Sequence, residues 1–145
     1  MILRATETDT LALAQLAIQM WASHSLAELE RDFAKALRDE NAACFLAYAE
    51  GKPIGFAQCG LRFDYVEGTE TSPVGYLEGI LIQEAYRHRG FARKLLEACE
   101  NWARRKKCTE FASDCELGNR DSLSFHLAMG FEEANRVICF RKSLS

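Results

Sequence analysis

The stretch YLEGILIQEAYRHRGFARKLLEACENWARRK, residues Tyr76–Lys106, decides the fold. Its apolar opening, which ends near Gln83, predicts a buried strand. Positive charge then gathers over Arg87–Arg89, and a helix is predicted from Gly90 to about Lys106. The apolar residues of that helix recur at helical spacing and form one face: Phe91, Leu95, Cys99, Trp102 and Ala103. A strand, a basic glycine turn and an amphipathic helix in this order indicate a strand-turn-helix unit of an α/β protein.

The basic turn has the properties of an anion-binding site. The first amides of a helix lack backbone partners, and the helix dipole favours negative charge at the same end. Gly90 would let an anion approach the main chain, and Arg87 and Arg89 add positive charge. A phosphate or pyrophosphate site and a basic surface loop are equally compatible with these residues alone. The phosphate-loop and dinucleotide glycine motifs are both absent.

The remaining segments predict further strands and helices around this unit. "ILRAT" predicts a short first strand, and Thr8 or Asp9 could cap a helix over "ETDTLALAQLAIQMW". A second amphipathic helix spans roughly Leu26–Leu37. A hairpin turns at Glu50–Lys52, and "TEFASDC" predicts a short strand. "RDSLSFHLAMGF" predicts a helix closed by Gly130, and "RVICFRK" predicts a final strand. The order β-α-α-β-β-β-α-β-α-β predicts a mixed α/β fold.

Composition limits the class of protein. The 145 residues, 48% of them hydrophobic and 27% charged, predict one domain over residues 1–145. A net charge of −3 argues against nucleic-acid binding and leaves room for cationic partners. The six cysteines lack metal-ligand spacing, so we expect no metal site and reduced thiols, which favours the cytoplasm. Neither a leader segment nor an apolar run of membrane-spanning length is present, so we expect no membrane partner.

Two motifs in the expected order resemble the GNAT superfamily of acetyl-CoA-dependent N-acetyltransferases. "YRHRGFARKLL" matches the R-x-x-G-x-A element at Arg87, Gly90 and Ala92. Downstream, "NRDSLSFHLAMGF" carries the family's Asn119 and the Gly-Phe pair that begins at Gly130. The resemblance covers essentially the whole chain and implies the GNAT acyl-CoA N-acyltransferase fold.

The resemblance also implies where acetyl-CoA, the cosubstrate, would bind. The backbone of the apolar strand would lie along the pantetheine arm, the amides of the turn would hold the pyrophosphate, and one asparagine would bond the pantetheine or adenosine. These residues are Ile80, Leu81, Ile82, His88, Arg89, Gly90, Phe91, Ala92, Arg93 and Asn119.

Within the superfamily, the chain is similar to the chromosomal type of aminoglycoside 6'-N-acetyltransferase, an enzyme of antibiotic resistance. The similarity lies in "MWASH", "YVEGTETSPVGYLEG", "CTEFASDCELGN" and "RVICFRK". It implies that the following residues contact the substrate: Trp21, His24, Tyr65, Glu78 and Asp114. Asn135 stands in the substrate pocket where an acidic residue is expected, and Ala22 stands in place of a proline. Both departures bear on substrate range.

Two acids support this interpretation independently. Strict strand alternation places Tyr76, Glu78 and Ile80 on one face, so that Glu78 projects from an apolar strand. Asp114 ends a similar strand, and a strand-helix-strand crossing would make the two strands neighbours. The carboxylates would then converge on the acetyl group. Each acid could instead be held structurally, by an arginine or by backbone N–H groups.

The implied reaction is a direct attack of the amine on the acetyl group, with Glu78 or Asp114 accepting the proton. A backbone N–H near Leu81 would stabilise the oxyanion. His126 occupies the position of the tyrosine that often donates a proton to the departing sulfur, and it could equally be a packed neutral side chain.

The sequence leaves two other functions open. One is acetylation of another small amine or a peptide amine, and the other is a non-catalytic CoA-binding sensor. Relatives of this kind are commonly homodimers, and the final strand could pair across a two-fold axis.

Overall fold

The structure, a computed structural model, describes residues 1–145 and is built on one five-stranded sheet. The strands are β1 Ile2–Arg4, β2 Ala42–Ala49, β3 Lys52–Arg62, β4 Val74–Ile82 and β5 Phe111–Ala112. The helices are α1 Thr10–Ala17, α2 Leu26–Arg38, α3 Phe91–Arg105 and α4 Arg120–Ala128. Strands β1 to β4 pair antiparallel in chain order, and β5 pairs parallel to β4. The mixed α/β fold expected from the sequence is confirmed.

Local sequence explains where the main elements begin and turn. The Ser25 hydroxyl accepts a hydrogen bond from the amide of Glu28 at 3.1 Å, which caps α2. The β2–β3 hairpin turns at Glu50 and Gly51, both with positive φ, because such a tight turn needs left-handed backbone. Gly130, with φ 96°, follows the end of α4. Helices α2, α3 and α4 and strand β4 therefore stand within about two residues of their expected bounds, whereas the first helix ends at Ala17 instead of Trp21 and β3 ends at Arg62, three residues early.

The sheet separates two apolar cores. Helix α3 packs on one face through Leu95, Cys99 and Trp102. Helices α1 and α2 cover the other face, where Leu13 and Phe33 meet the sheet. None of the four helices has the length and apolarity needed to cross a bilayer.

Strand β4 contains a β-bulge at Glu78. Gln58 of β3 lies opposite Gly79 and Cys59 lies opposite Leu77, so Glu78 has no cross-strand partner. The extra residue shifts the alternation: Leu77 and Ile80 both pack against the core beside α3. The expectation that Tyr76, Glu78 and Ile80 share one face is therefore wrong for Ile80.

The prediction of a final strand over "RVICFRK" is also wrong for a single copy of the chain. Residues 132–145 form no helix or strand and make no backbone hydrogen bond to the sheet. Val137, Ile138 and Phe140 are 67%, 80% and 90% exposed. The sequence is suitable for a strand, but a strand requires a neighbour for its backbone groups, and the segment has none within the chain.

The close approach of β3 and β4 predicts a strong effect for Gly55→Ala. A Cβ at Gly55 would lie 2.8 Å from the Leu81 carbonyl oxygen. We expect a loss of about 1–3 kcal/mol in the free energy of unfolding, because backbone must move. Urea unfolding measures it, with Gly118→Ala as the control, since a Cβ there meets nothing within 4 Å. Equal stability of the two variants would contradict this packing.

Candidate active site

The basic turn before α3 has a left-handed backbone. Gly90 has φ 86° and lies immediately before Phe91, the first residue of the helix. His88 also has a positive φ, 64°. A Cβ at Gly90 would meet nothing within 4 Å, so the space in front of this main chain is open. The glycine is therefore required by the φ angle of the turn, not by crowding.

The amides of this turn are available to a ligand. The N–H groups of His88–Arg93 make no hydrogen bond within the chain, and no side chain caps α3. Six successive free amides at the N-terminus of a fifteen-residue helix fit the oxygens of a pyrophosphate. Arg87 has a different task, because its Nε donates to the Ile82 carbonyl at 2.8 Å and ties the turn to the end of β4.

Strand β4 leaves one edge open beyond its contact with β5. The parallel pairing is restricted to Gly75 with Phe111 and Tyr76 with Ala112. The implied pantetheine residues Ile80, Leu81 and Ile82 pair only with β3, so an extended ligand arm can lie along their other edge. Asn119 is the N-cap of α4, where its Oδ1 accepts from the Ser122 amide at 3.1 Å.

The two predicted acids belong to one network of charged and aromatic side chains. Arg62 Nη2 donates to both Glu78 oxygens, at 2.6 and 3.0 Å. The same guanidinium lies 3.7 Å from the centre of the Tyr76 ring. The Tyr76 hydroxyl donates to Asp114 Oδ2 at 2.7 Å. Glu78 and Asp114 are thus connected through Arg62 and Tyr76, and each has the structural partner that the sequence left open.

The pKa values of the two connecting side chains follow from this network. Burial raises the pKa of Tyr76, and the hydrogen bond to Asp114 and the negative charge of that acid raise it further. Burial acts to lower the pKa of Arg62, but its hydrogen bond and ion pair with Glu78 outweigh this, and the pKa of Arg62 rises. Tyr76 therefore remains a neutral donor to Asp114, and Arg62 remains a cation.

His126 is oriented by two partners. Its Nδ1 lies 2.7 Å from the Ser122 carbonyl oxygen, and because a carbonyl can only accept, Nδ1 carries the proton. Nε2 then accepts from the Ser113 hydroxyl at 2.8 Å. The Phe131 ring packs 5.0 Å from the imidazole. Half-buried His126 is thus joined through Ser113 to the gap between β4 and β5, where the Ser113 hydroxyl also lies 3.4 Å from the Leu77 carbonyl.

The loop between β3 and β4 is fastened at both ends. Asn135 Nδ2 donates to Glu67 Oε1 at 2.9 Å, and the Tyr65 hydroxyl lies 3.4 Å from the other oxygen of Glu67. Glu110 accepts from the Glu70 amide at 3.0 Å, the Thr71 amide at 2.8 Å and the Thr71 hydroxyl. The bonds from Thr71 and Glu70 lower the pKa of Glu110. This clamp is present above the ordinary glutamate pKa and is lost as the pH falls through the lowered value.

Trp21 and His24 lie apart from the network, beside a smaller cavity of about 210 Å³. The Trp21 ring packs against Phe33 and Phe56, with centroids 6.4 and 6.0 Å away. It also fills the space over Gly79, where a Cβ would lie 2.8 Å from the indole. Trp21 is therefore partly a core residue, and its ring reaches β4 next to Glu78.

A larger cleft of about 720 Å³ brings together four of the seven predicted catalytic and substrate residues, while Glu78 lies outside its lining and is joined to it through Arg62. Its lining includes Tyr65, Asp114, His126 and Asn135. Seven acidic side chains and two arginines line it, and both arginines are paired with acids. The cleft therefore presents a net negative surface, which favours a cationic guest. No group of three or more His, Cys, Asp or Glu side chains is arranged to hold a metal ion.

The turn, the open strand edge and the order of elements define a class of protein. Residues 10–131 match the acetyltransferase (GNAT) family, and the chain belongs to this family. Among its relatives, the aminoglycoside N(6')-acetyltransferase type 1 of Stenotrophomonas maltophilia is 43% identical and aligns over 99% of this chain and 93% of its own length. The enzyme of the same name from Acinetobacter haemolyticus is 37% identical over 97% of this chain and 96% of its own length.

Solved structures agree with this relationship. AAC(6')-Iy in complex with the bisubstrate analogue CoA-S-monomethyl-acetylneamine has a TM-score of 0.94 and 38% identity, over 99% of this chain and 97% of the other. Apo AAC(6')-IG from Acinetobacter haemolyticus has a TM-score of 0.95 and 38% identity, over 100% of this chain and 99% of the other.

Sequence reasoning missed four residues of the site: Arg62, Tyr76 as a donor to Asp114, Ser113 and Glu110. Their roles depend on distant parts of the chain, and no local motif marks them. One signal was available in the sequence: "TEFASDC" was expected to form a strand beside the apolar strand. Parallel pairing of those two strands places Ser113 and Asp114 just beyond Tyr76.

The left-handed turn predicts that Gly90→Val weakens acetyl-CoA binding at least about tenfold, because a branched residue disfavours the φ that aims the amides. Calorimetric titration of the folded variant measures it. Gly51→Val is a matched control, since Gly51 has φ 77° in an equally open hairpin turn. The same loss of affinity in both variants would show a general effect on folding and contradict the assignment.

Proposed function

We propose that this protein is an enzyme that transfers the acetyl group of acetyl-CoA directly to the 6'-amino group of aminoglycosides, and so confers resistance to them. The observation that carries the proposal is the acidic cleft, in which Asp114 is fixed by Tyr76 beside the open edge of β4. The relatives support it, because two that align with almost the whole chain are named aminoglycoside N(6')-acetyltransferases. The single sheet, with a core on each face, supports a catalytic domain formed by residues 1–145 together.

Acetyl-CoA supplies the activated acetyl group. The amides of His88, Arg89, Gly90, Phe91, Ala92 and Arg93 hold its pyrophosphate. Ile80, Leu81 and Ile82 hold the pantetheine arm along the free edge of β4, and Asn119 contributes its amide nitrogen from the start of α4. The support for these roles is the set of unpaired backbone groups that the turn and the strand edge share.

The substrate residues differ in what they offer an amino sugar. Asp114 and Glu78 bind ammonium groups, and one of them accepts the proton of the attacking amine. Tyr65, 76% exposed, offers an aromatic face to a sugar ring. Asn135 positions Glu67, and so acts on the substrate loop through that acid. Trp21 covers Gly79, and His24 lines the smaller cavity beside Trp21.

We assign the return of a proton to the sulfur of CoA to Ser113 and His126: the Ser113 hydroxyl passes its proton to the departing thiolate and takes another from solvent water, so that solvent is the net source of the proton. The Ser113 hydroxyl donates to His126 Nε2 and lies in the gap between β4 and β5. His126 therefore acts as a positioning residue for the Ser113 proton, in place of the tyrosine that the superfamily often has there.

The acidic cleft predicts a selective loss for Asp114→Asn. We expect kcat/KM for kanamycin to fall at least about tenfold, because a charge-assisted contact or a proton acceptor is removed. Glu78→Gln should act similarly, and acetyl-CoA affinity should stay close to wild type in both. Glu40→Gln, an exposed acid that does not line the cleft, is the control. Release of free thiol from acetyl-CoA measures the rate.

Two results of this experiment would reject the proposal. One is wild-type protein that acetylates a peptide amine but no aminoglycoside. The other is a pair of amide variants with wild-type kinetics. The pH profile separates the roles: an acid that only anchors an ammonium group affects KM, whereas loss of the proton acceptor lowers kcat itself.

A homodimer and a cytoplasmic location are further parts of the proposal. Four of the six free cysteines are buried, and burial raises the pKa of Cys44 to about 12, which keeps it a thiol. Free thiols suit a reducing compartment. The exposed apolar segment Val137–Phe140 supports a dimer, because its side chains and backbone groups have no partner within the chain. If each copy placed its segment against the other across a two-fold axis, the segments of both copies would be covered.

The exposed segment predicts a dimer in solution, with about twice the 16.4 kDa chain mass by light scattering. Ile138→Asp with Phe140→Asp should give a monomer, because charged side chains oppose burial between copies. Leu11→Asp, on the exposed side of α1, is the control. A wild-type monomer at all concentrations, or a dimer that survives the double substitution, contradicts this arrangement.

A further inference from the structure

Arg62 holds the position that a cationic substrate would need at Glu78. It is the last residue of β3 and lies opposite Val74, so its side chain runs along the surface of β4 towards the bulge. One guanidinium nitrogen reaches both oxygens of Glu78, at 2.6 and 3.0 Å. An ammonium group that binds this carboxylate must meet the guanidinium there.

The surroundings of Arg62 are those of a bound cation. Its guanidinium stacks 3.7 Å above the Tyr76 ring, whose hydroxyl donates to Asp114. A cation over an aromatic ring, beside one carboxylate and connected to another, is an arrangement that proteins use to recognise ligand cations. Glu78 is the single acid that Arg62 contacts, and the Arg62 side chain is 47% exposed. Ion pairs this exposed are weak, so the arginine can leave.

We propose that Arg62 is a specificity-determining residue that occupies the cation position on Glu78 in the free enzyme and is displaced by the amine substrate. The inference rests on the proposed function, since it takes Glu78 as a contact of the substrate. Once displaced, Arg62 leaves a positive charge beside the incoming amine. A substrate with several ammonium groups offsets that repulsion through other acids of the cleft, whereas a monoamine has no second contact. Arg62 therefore selects polycationic amines.

The test compares Arg62→Met with wild type on two substrates that share a 6-amino hexose: kanamycin, which carries several amines, and 6-amino-6-deoxyglucose, which carries one. Methionine keeps an unbranched stem and removes the charge. We expect KM to fall about tenfold for the monoamine and about threefold for kanamycin, with kcat changed less than about twofold, because only binding in competition with Arg62 is altered. Arg62→Lys should keep KM near wild type. Arg31→Met, an exposed arginine of α2, controls for net charge.

Each of the following outcomes would overturn the inference. A higher KM or a kcat lowered about tenfold in Arg62→Met would make Arg62 a residue that orients Glu78 for catalysis. An equal fall in KM for both substrates would remove the selective role. If wild type neither binds kanamycin by calorimetry nor acetylates it, the proposed function fails and this inference fails with it. Wild-type turnover with an unchanged KM in Arg62→Met rejects the inference alone.

Discussion

Strand β4 is an inner strand in its first half and an edge strand in its second half, and the bulge at Glu78 separates the two. Its first half is an inner strand, paired with β3 on one side and β5 on the other. Its second half pairs with β3 alone, which leaves the backbone of its other edge free. At the bulge, the inserted residue has no partner across the strand, and bulges bend the strand that carries them. The bulge therefore places a carboxylate on the surface of an otherwise apolar strand, where the two halves meet.

The network around the bulge shows how the charges of the site are held before any substrate arrives. Glu78, Arg62, Tyr76 and Asp114 form a continuous series of contacts, so no member is a free charge that drifts in solvent. Glu110 plays a comparable part in the loop that carries Tyr65 and Glu67, through two backbone amides and a hydroxyl. Arg62 is the member that moves in the exchange proposed above, whereas Asp114 and Glu110 keep their partners and need little rearrangement when a substrate binds.

Most of the fold could be predicted from sequence because its signals are local. The hairpin depends on Glu50 and Gly51, α2 on Ser25, and the anion turn on Gly90, and each acts through its own backbone or its nearest neighbours. The errors have a different origin. The predicted alternation of side chains through Ile80 is wrong because the bulge depends on how β4 pairs with Gln58 and Cys59 of β3, which lie about twenty residues away. The final strand failed because pairing depends on a partner strand as well as on propensity.

The candidate site shows the same difference between local signals, which could be predicted, and contacts between distant residues, which could not. Gly90 and the open amides of its turn were expected, since a helix N-terminus creates them without help. Arg62, Ser113 and Glu110 were not expected, because their meaning comes from contacts across 16, 13 and about 40 positions of sequence. Asp114 was singled out as an unusual acid at a strand end, but its donor, Tyr76, became visible only when the parallel pairing of β4 with β5 was known.

The contact of Trp21 with Gly79 gives this protein a natural optical probe. The chain has two tryptophans. Trp102 is 1% exposed within the core beside α3, whereas half-buried Trp21 lines the smaller cavity and touches the strand next to Glu78. A soluble quencher such as iodide can therefore reach one indole and not the other. Light emitted by that accessible indole responds to the local environment of β4, so the arrival of a ligand at the bulge can be followed without attaching a dye.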